Sequence, residues 1–251
     1  MPKRKAETES PRRTGRQRRT VEEARKAEQK DSAPQRRVPP AYEPKGGKSA
    51  KVKPALLEKG KDKRDSRGRL VFEDFPKFRP TLRPKDVIQA GSFGGIYFNP
   101  TGGRPGILSP KGVDINHEEF PADWFEGLRP EQYRGKRYNT DLNKYKVKAG
   151  QNQAQWEEKG WIKPEYDPRG WFHWYCRFYQ GRRIDDDERQ IGRWKGVAGE
   201  KGRWKRSLVN KIVAANKSWD DASVSPVVRQ SMLHWAYELT EADFEALRKG
   251  V

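Results

Sequence analysis

The sequence predicts a mainly α fold: a compact multi-helix domain with at most a small β hairpin, preceded by a disordered basic arm. Three observations carry this. Apolar residues recur at helical spacing through the C-terminal half, with Pro, Asp, Ser and Gly standing where helices begin and end. Every Trp, every Phe and every Tyr except Tyr42 lies after residue 70. The charge is segregated as well. Of the net +19, residues 1–70 carry a surplus of 13 (23 Lys+Arg against 10 Asp+Glu), and residues 71–251 a surplus of 6 (31 against 25).

A stretch almost without aromatics cannot bury enough apolar surface to offset the entropy of ordering it. Residues 1–70 are therefore expected to be a disordered arm, and residues 71–251 a single α-helical domain. Within the arm, Lys3, Arg4, Lys5, Arg12, Arg13, Arg16, Arg18 and Arg19 form short basic clusters of the kind used for nuclear import and for phosphate contact. Val21 to Lys30 has good helix formers but no apolar face, so it reads as solvated coil. Gly46-Gly-Lys-Ser49 looks like the end of a phosphate loop, but Tyr42 stands where the leading glycine belongs and no strand precedes it.

The domain's elements follow in order. Thr81 to Gly91 reads as a short helix stopped by Gly91. Ser92 to Asn99 is the best strand candidate, and Gly102 to Gly106 a turn-rich loop. Pro121 to Leu128 is a helical turn anchored by Trp124 and Phe125. Gly150 to Lys159 is a helix ended by Gly160.

The next helix is the strongest. Asp167 suits the N-cap and Pro168 the first helical position, and Gly181 stops it. Between Trp171 and Tyr179 lie seven aromatics, counting His173. At about 100° per residue, Trp171, Phe172, Trp174, Tyr175, Phe178 and Tyr179 cover one arc, with His173, Arg177 and Gln180 opposite. Asp185 to Val197 is a second helix with acids at its start, Ile191, Trp194 and Val197 inward, and Arg189 and Arg193 outward. After the turn Gly199 to Gly202, a third helix runs to about Ala215, with Trp204, Leu208, Val209 and Ile212 inward. Ser225-Pro226 opens a helix expected to reach Leu239. Thr240 and Asp243 form a capping box for a last short helix to Leu247.

The lone Cys176 excludes an internal disulfide and any multi-cysteine zinc site. No run of 18 apolar residues spans a membrane, and the N-terminus has no apolar signal core. No membrane and no cofactor are expected, and protein partners are not indicated. Metal is not expected either. The runs Asp185–Glu188 and Asp220-Asp221 are the carboxylates that would hold a divalent ion if they met, and His173 and Cys176 at i, i+3 lack further ligands. His234, with Gln230 and Glu238 at helical spacing, has the pattern of a general base oriented by a carboxylate and equally that of ordinary helix surface.

From Arg177 to Arg206 the chain has ten Lys+Arg against five Asp+Glu, interleaved with Trp194 and Trp204. Cations beside aromatics suit phosphate contact and base stacking. Two amphipathic helices across a short glycine-bounded turn are also compatible with a helix-turn-helix. The candidate nucleic-acid-binding residues are Arg177, Arg182, Arg183, Arg189, Arg193, Arg203, Arg206 and Lys211. The bland alternative is a solvated basic face over core tryptophans.

The stretches DPRGWFHWYCRFYQGRR, DDERQIGRWKGVAGEKGRWK and SPVVRQSMLHWAYELT resemble a family of uncharacterised proteins of eukaryotic microbes, over roughly Gly91 to Phe244. The resemblance implies a shared intracellular domain and carries over no catalytic residue. The leading expectation is a nuclear, nucleic-acid-associated (DNA- or RNA-binding) protein with a basic helical face and a flexible basic arm. The alternatives are a nucleic-acid-processing or other hydrolytic enzyme with an Arg/Asp/Trp-lined pocket, and a non-catalytic protein-interaction module.

Overall fold

The computed structural model describes residues 62–99, 117–163 and 166–249, all within the unit Ala41–Val251. Its order is α1 (Pro84–Gln89), four 3-10 turns between His117 and Leu142, α2 (Gln153–Glu158), α3 (Trp171–Tyr179), α4 (Asp187–Ala198), α5 (Arg203–Ala214), α6 (Pro226–Leu233) and α7 (Glu241–Arg248). The described residues are helical and contain no strand; an isolated antiparallel bridge joins Arg64 to Leu70.

Helix α3 sits at the centre, because aromatic area is worth most when buried. All its residues from Trp171 to Phe178 except Arg177 are buried. The expected polar arc is therefore interrupted, since His173 has no exposed surface. Phe78, from the loop before α1, is the hub. Its ring lies 5.1 Å from Trp194, 5.5 Å from Phe178 and 5.6 Å from Trp174. Three of the core indoles find partners for their N–H groups. The Trp174 indole donates to Asp187 (2.8 Å), that of Trp171 to the Gln190 carbonyl (3.1 Å), and that of Trp194 to the Trp235 carbonyl (2.9 Å).

Several boundaries differ from expectation, each for a reason visible in the fold. Helix α3 begins at Trp171, because Gly170 takes φ +78° and turns the chain at that point. Asp167 does not cap it. Its buried carboxylate accepts from Arg177 (3.1 Å) and Arg182 (2.5 Å) instead. Ser92–Asn99 is a succession of turns rather than a strand. Gly91 opens it at φ +59°, so close to its neighbour that a Cβ would lie 1.9 Å from the Leu142 carbonyl oxygen. Helix α6 stops at Leu233 rather than Leu239. Ala236 adopts φ +51°, and its carbonyl accepts from the amides of Thr81 and Leu82, both at 3.1 Å. The expected Gly102–Gly106 loop lies outside the described residues.

The folded part also starts earlier than Val71. Leu70 is buried, Asp62 accepts from the Tyr179 hydroxyl (2.5 Å), and Arg64 donates to the Thr81 carbonyl (2.8 Å). Residues 62–70 lack aromatics but are rich in charge, and ion pairing holds them where apolar area does not.

Candidate nucleic-acid interface

The basic residues singled out by the sequence separate into two groups by the partners they meet. The first group is engaged inside the fold. Arg177 forks onto Glu119 and also reaches Asp167 (3.1 Å) and the Tyr166 carbonyl (2.7 Å). Burial opposes the charge of Glu119, but hydrogen bonds from His173 and Arg177 prevail and hold its carboxyl down to about 2. Arg182 pairs with Asp167. Arg183 pairs with Asp74 (2.5 Å) and lies 3.8 Å over the Phe178 ring. Arg189 forks onto the buried Asp186 (2.7 and 2.6 Å). Burial again opposes, yet Arg189 and Lys163 keep the Asp186 carboxyl below its usual range. Arg193 lies against the Trp161 and Trp235 rings and donates to the Trp161 carbonyl (3.0 Å). Burial, reinforced by Arg189, pushes its guanidinium down to about 10.

The second group is Arg203, Arg206 and Lys211, all exposed on α5. None of them forms an ion pair among the described residues. With Lys201, Ser207 and Asn210 they share one open face along the helix, and no carboxylate borders it. No acid occurs between Lys201 and Asp220. The nearest acid in the chain, Glu200, is taken by Arg67 (3.5 Å) and by a closer contact from Arg69.

The rotational setting of α5 comes from its inner side. Leu208, Val209 and Ile212 enter the core, and so does Lys205, 1 % exposed. Its ammonium lies 3.4 Å from the Asp243 carboxylate, which also receives the Tyr237 hydroxyl and lies within 3.9 Å of Arg67 and Arg69. Burial pushes the Lys205 amine down despite Asp243. With Lys205 facing in, the helical period turns Arg203, Arg206 and Lys211 out. Lys201 and Ser207 were not among the residues picked from the sequence, although continuing the same period from Arg203 locates Ser207. The inward Lys205 has no sequence signal, because its acid lies 38 residues away.

The other constellations do not assemble. Asp186 and Asp187 are buried in separate contacts, to Arg189 and to Trp174. Asp220 and Asp221 bind Ser218 and Ser223 of their own turn. No cluster of three or more His, Cys, Asp or Glu that would hold a metal occurs among the described residues. His234 donates to the Ser92 carbonyl (2.7 Å), whereas Glu238 accepts from Tyr145 (2.9 Å) and pairs with Lys144, so no carboxylate orients that imidazole. Cys176 has no exposed surface, and burial raises its thiol well above the usual range. The pocket wall of the enzyme reading is filled: Trp171 and Trp174 are buried, and Arg182, Arg183 and Arg189 are in ion pairs.

The basic clusters Lys3 to Arg19 lie outside the described residues. Among the described residues, no helix is long and apolar enough to cross a membrane. The chain matched no protein family, no curated protein and no solved structure.

Proposed function

We propose that this chain is a nucleic-acid-associated protein that holds phosphates with the outward face of α5, assisted by the basic N-terminal clusters. One observation supports this best. In a fold where the other candidate cations meet carboxylates or rings, Lys201, Arg203, Arg206 and Lys211 are exposed together along one face without an acid. Unneutralised cations in a row attract a polyanion and release its counterions on binding. A nuclear location, addressed by Lys3 to Arg19, belongs to the same reading.

The test is the salt dependence of binding by the full chain. Replacing Arg206 and Lys211 together by Ala removes two phosphate contacts. The slope of log affinity against log salt then becomes shallower by roughly 1.4–1.8, at about 0.7–0.9 per contact. These side chains are exposed, so the thermal midpoint stays near that of the parent. An unchanged slope, or no binding at low salt, makes the face a site for something other than nucleic acid.

A further inference from the structure

We propose that the occupant of the α5 face is B-form duplex DNA, with α5 seated in the major groove. Arg203, Ser207 and Asn210 then lie toward base edges, and Arg206 and Lys211 against the flanking phosphates. This rests on the nucleic-acid reading above and adds which nucleic acid and which residues do what.

The first argument is shape. Every residue of α5 that is not core or half-buried lies on one side: Arg203, Arg206, Ser207, Asn210, Lys211, Val213 and Ala214. At about 100° per residue these cover an arc of roughly 160°. Twelve residues at about 1.5 Å each give a ridge on the order of 18 Å long. A convex ridge of that length matches a groove about 12 Å wide and 8.5 Å deep, and does not match a strand that must be cradled.

The second argument is the order of chemistry across the ridge. Arg203, Ser207, Asn210 and Ala214 fall within about 40° of its midline, with Arg206 and Lys211 on opposite flanks. The midline therefore carries groups that read base edges: guanidinium for guanine, carboxamide for adenine, a hydroxyl, and a methyl for thymine. The flanks carry cations where a groove has its phosphate walls.

The third argument is the absence of a stacking surface. Single strands are held largely by aromatic faces. Trp204, the aromatic on α5, is half-buried against the core and not on the ridge. Trp161 is the exposed Trp among the described residues, and it belongs to another part of the fold, where Lys159 lies 4.8 Å from its ring. Helix α4 packs on α5 across the turn Gly199–Gly202, and two helices packed across a short turn are also the frame of a helix-turn-helix.

The experiment uses the full chain and three probes of equal length, about twenty base pairs or nucleotides. They are a mixed-sequence DNA duplex, one of its strands alone, and the corresponding RNA duplex, whose deep narrow major groove excludes side chains. The expected result is DNA duplex bound at least about tenfold more tightly than either other probe. A preferred duplex is then selected from a randomised pool. Asn210→Ala should weaken binding to it by roughly 5- to 150-fold, erase the preference at one position and leave the salt slope unchanged. Lys211→Ala should weaken all duplexes alike and lower the slope by about 0.9. Circular dichroism confirms that both variants are folded. Equal or tighter binding of the single strand or of the RNA duplex overturns the duplex inference while leaving the nucleic-acid reading standing. Failure to bind any of the three overturns both. A preferred duplex that Asn210→Ala binds as well as the parent overturns the groove assignment alone.

Discussion

Asp243 has no exposed surface, yet three cations and a phenol converge on it: Lys205, Arg67, Arg69 and Tyr237. A carboxylate so placed is worth little as an attraction and much as a neutraliser, because removing it leaves a buried ammonium uncompensated. Asp243→Asn should therefore lower stability by about 3–5 kcal/mol, and adding Lys205→Met should restore part of that loss. A parental midpoint for Asp243→Asn, measured by thermal denaturation, would show that Lys205 sheds its proton or reaches water. The same contact marks the limit of reading residues from sequence. Arg177, Arg182 and Arg183 look as available as Arg206 in the chain. Glu119 lies 58 residues before Arg177, and Asp74 lies 109 before Arg183. Only the fold brings those acids to those cations. The exposed members of the set were legible, because helical period alone puts Arg203, Arg206 and Lys211 on one side.

At the scale of elements, type was more legible than extent. Local pattern shows that α3, α4, α5 and α7 are helices, since glycine, proline and capping residues act within a turn or two. Their ends depend on what arrives from elsewhere, as at Ala236, whose carbonyl is claimed by the 81–82 segment. The segment from Asp62 to Leu70 makes the same point. By composition it belongs with the arm, but in space it joins the Gly199–Gly202 turn, α7 and the Thr81 loop through Arg64, Arg67, Arg69 and Leu70. A chain beginning at Val71 should consequently unfold well below one beginning at Asp62. Losing a buried leucine and the ion pairs to Asp243 amounts to several kcal/mol, on the order of 10 °C in a domain of this size. Coincident melting curves for the two chains would return residues 62–70 to the arm.

For the whole molecule, the sequence foretold a helical fold and a basic balance but not where that balance is felt. Ion pairing engages the candidate arginines Arg177, Arg182, Arg183 and Arg189 and leaves Arg203, Arg206 and Lys211 of α5 exposed. The buried titratable groups give the fold an acid limit. Burial lowers His173 and His234, the latter to about 4, from an ordinary 6.5, so both are neutral in the fold. The unfolded chain binds protons there first, so the contribution of His234 is complete above about 6.5 and drains away as pH falls toward 4, and that of His173 declines in the same direction. Glu119, held down to about 2 from an ordinary 4.5, contributes fully above 4.5 and is lost between 4.5 and 2. Each group accounts for at most about 1.4 kcal/mol per pH unit within its window. Thermal midpoints should accordingly decline in two stages as pH is lowered, first below about 6.5 and then more steeply below 4.5. A midpoint constant from neutrality to pH 4.5 would mean that the imidazoles protonate inside the fold. The way α5 is set also divides its amines by reactivity. Lys205 is enclosed by Asp243 and Tyr237, while Lys211 and the neighbouring Lys201 stand in water. An acylating reagent meets two accessible nucleophiles and one screened one within eleven residues of chain. Covering the outer amines records occupancy of the ridge, and uncovering the inner one records loss of the fold, so a single helix reports separately on ligand and on integrity.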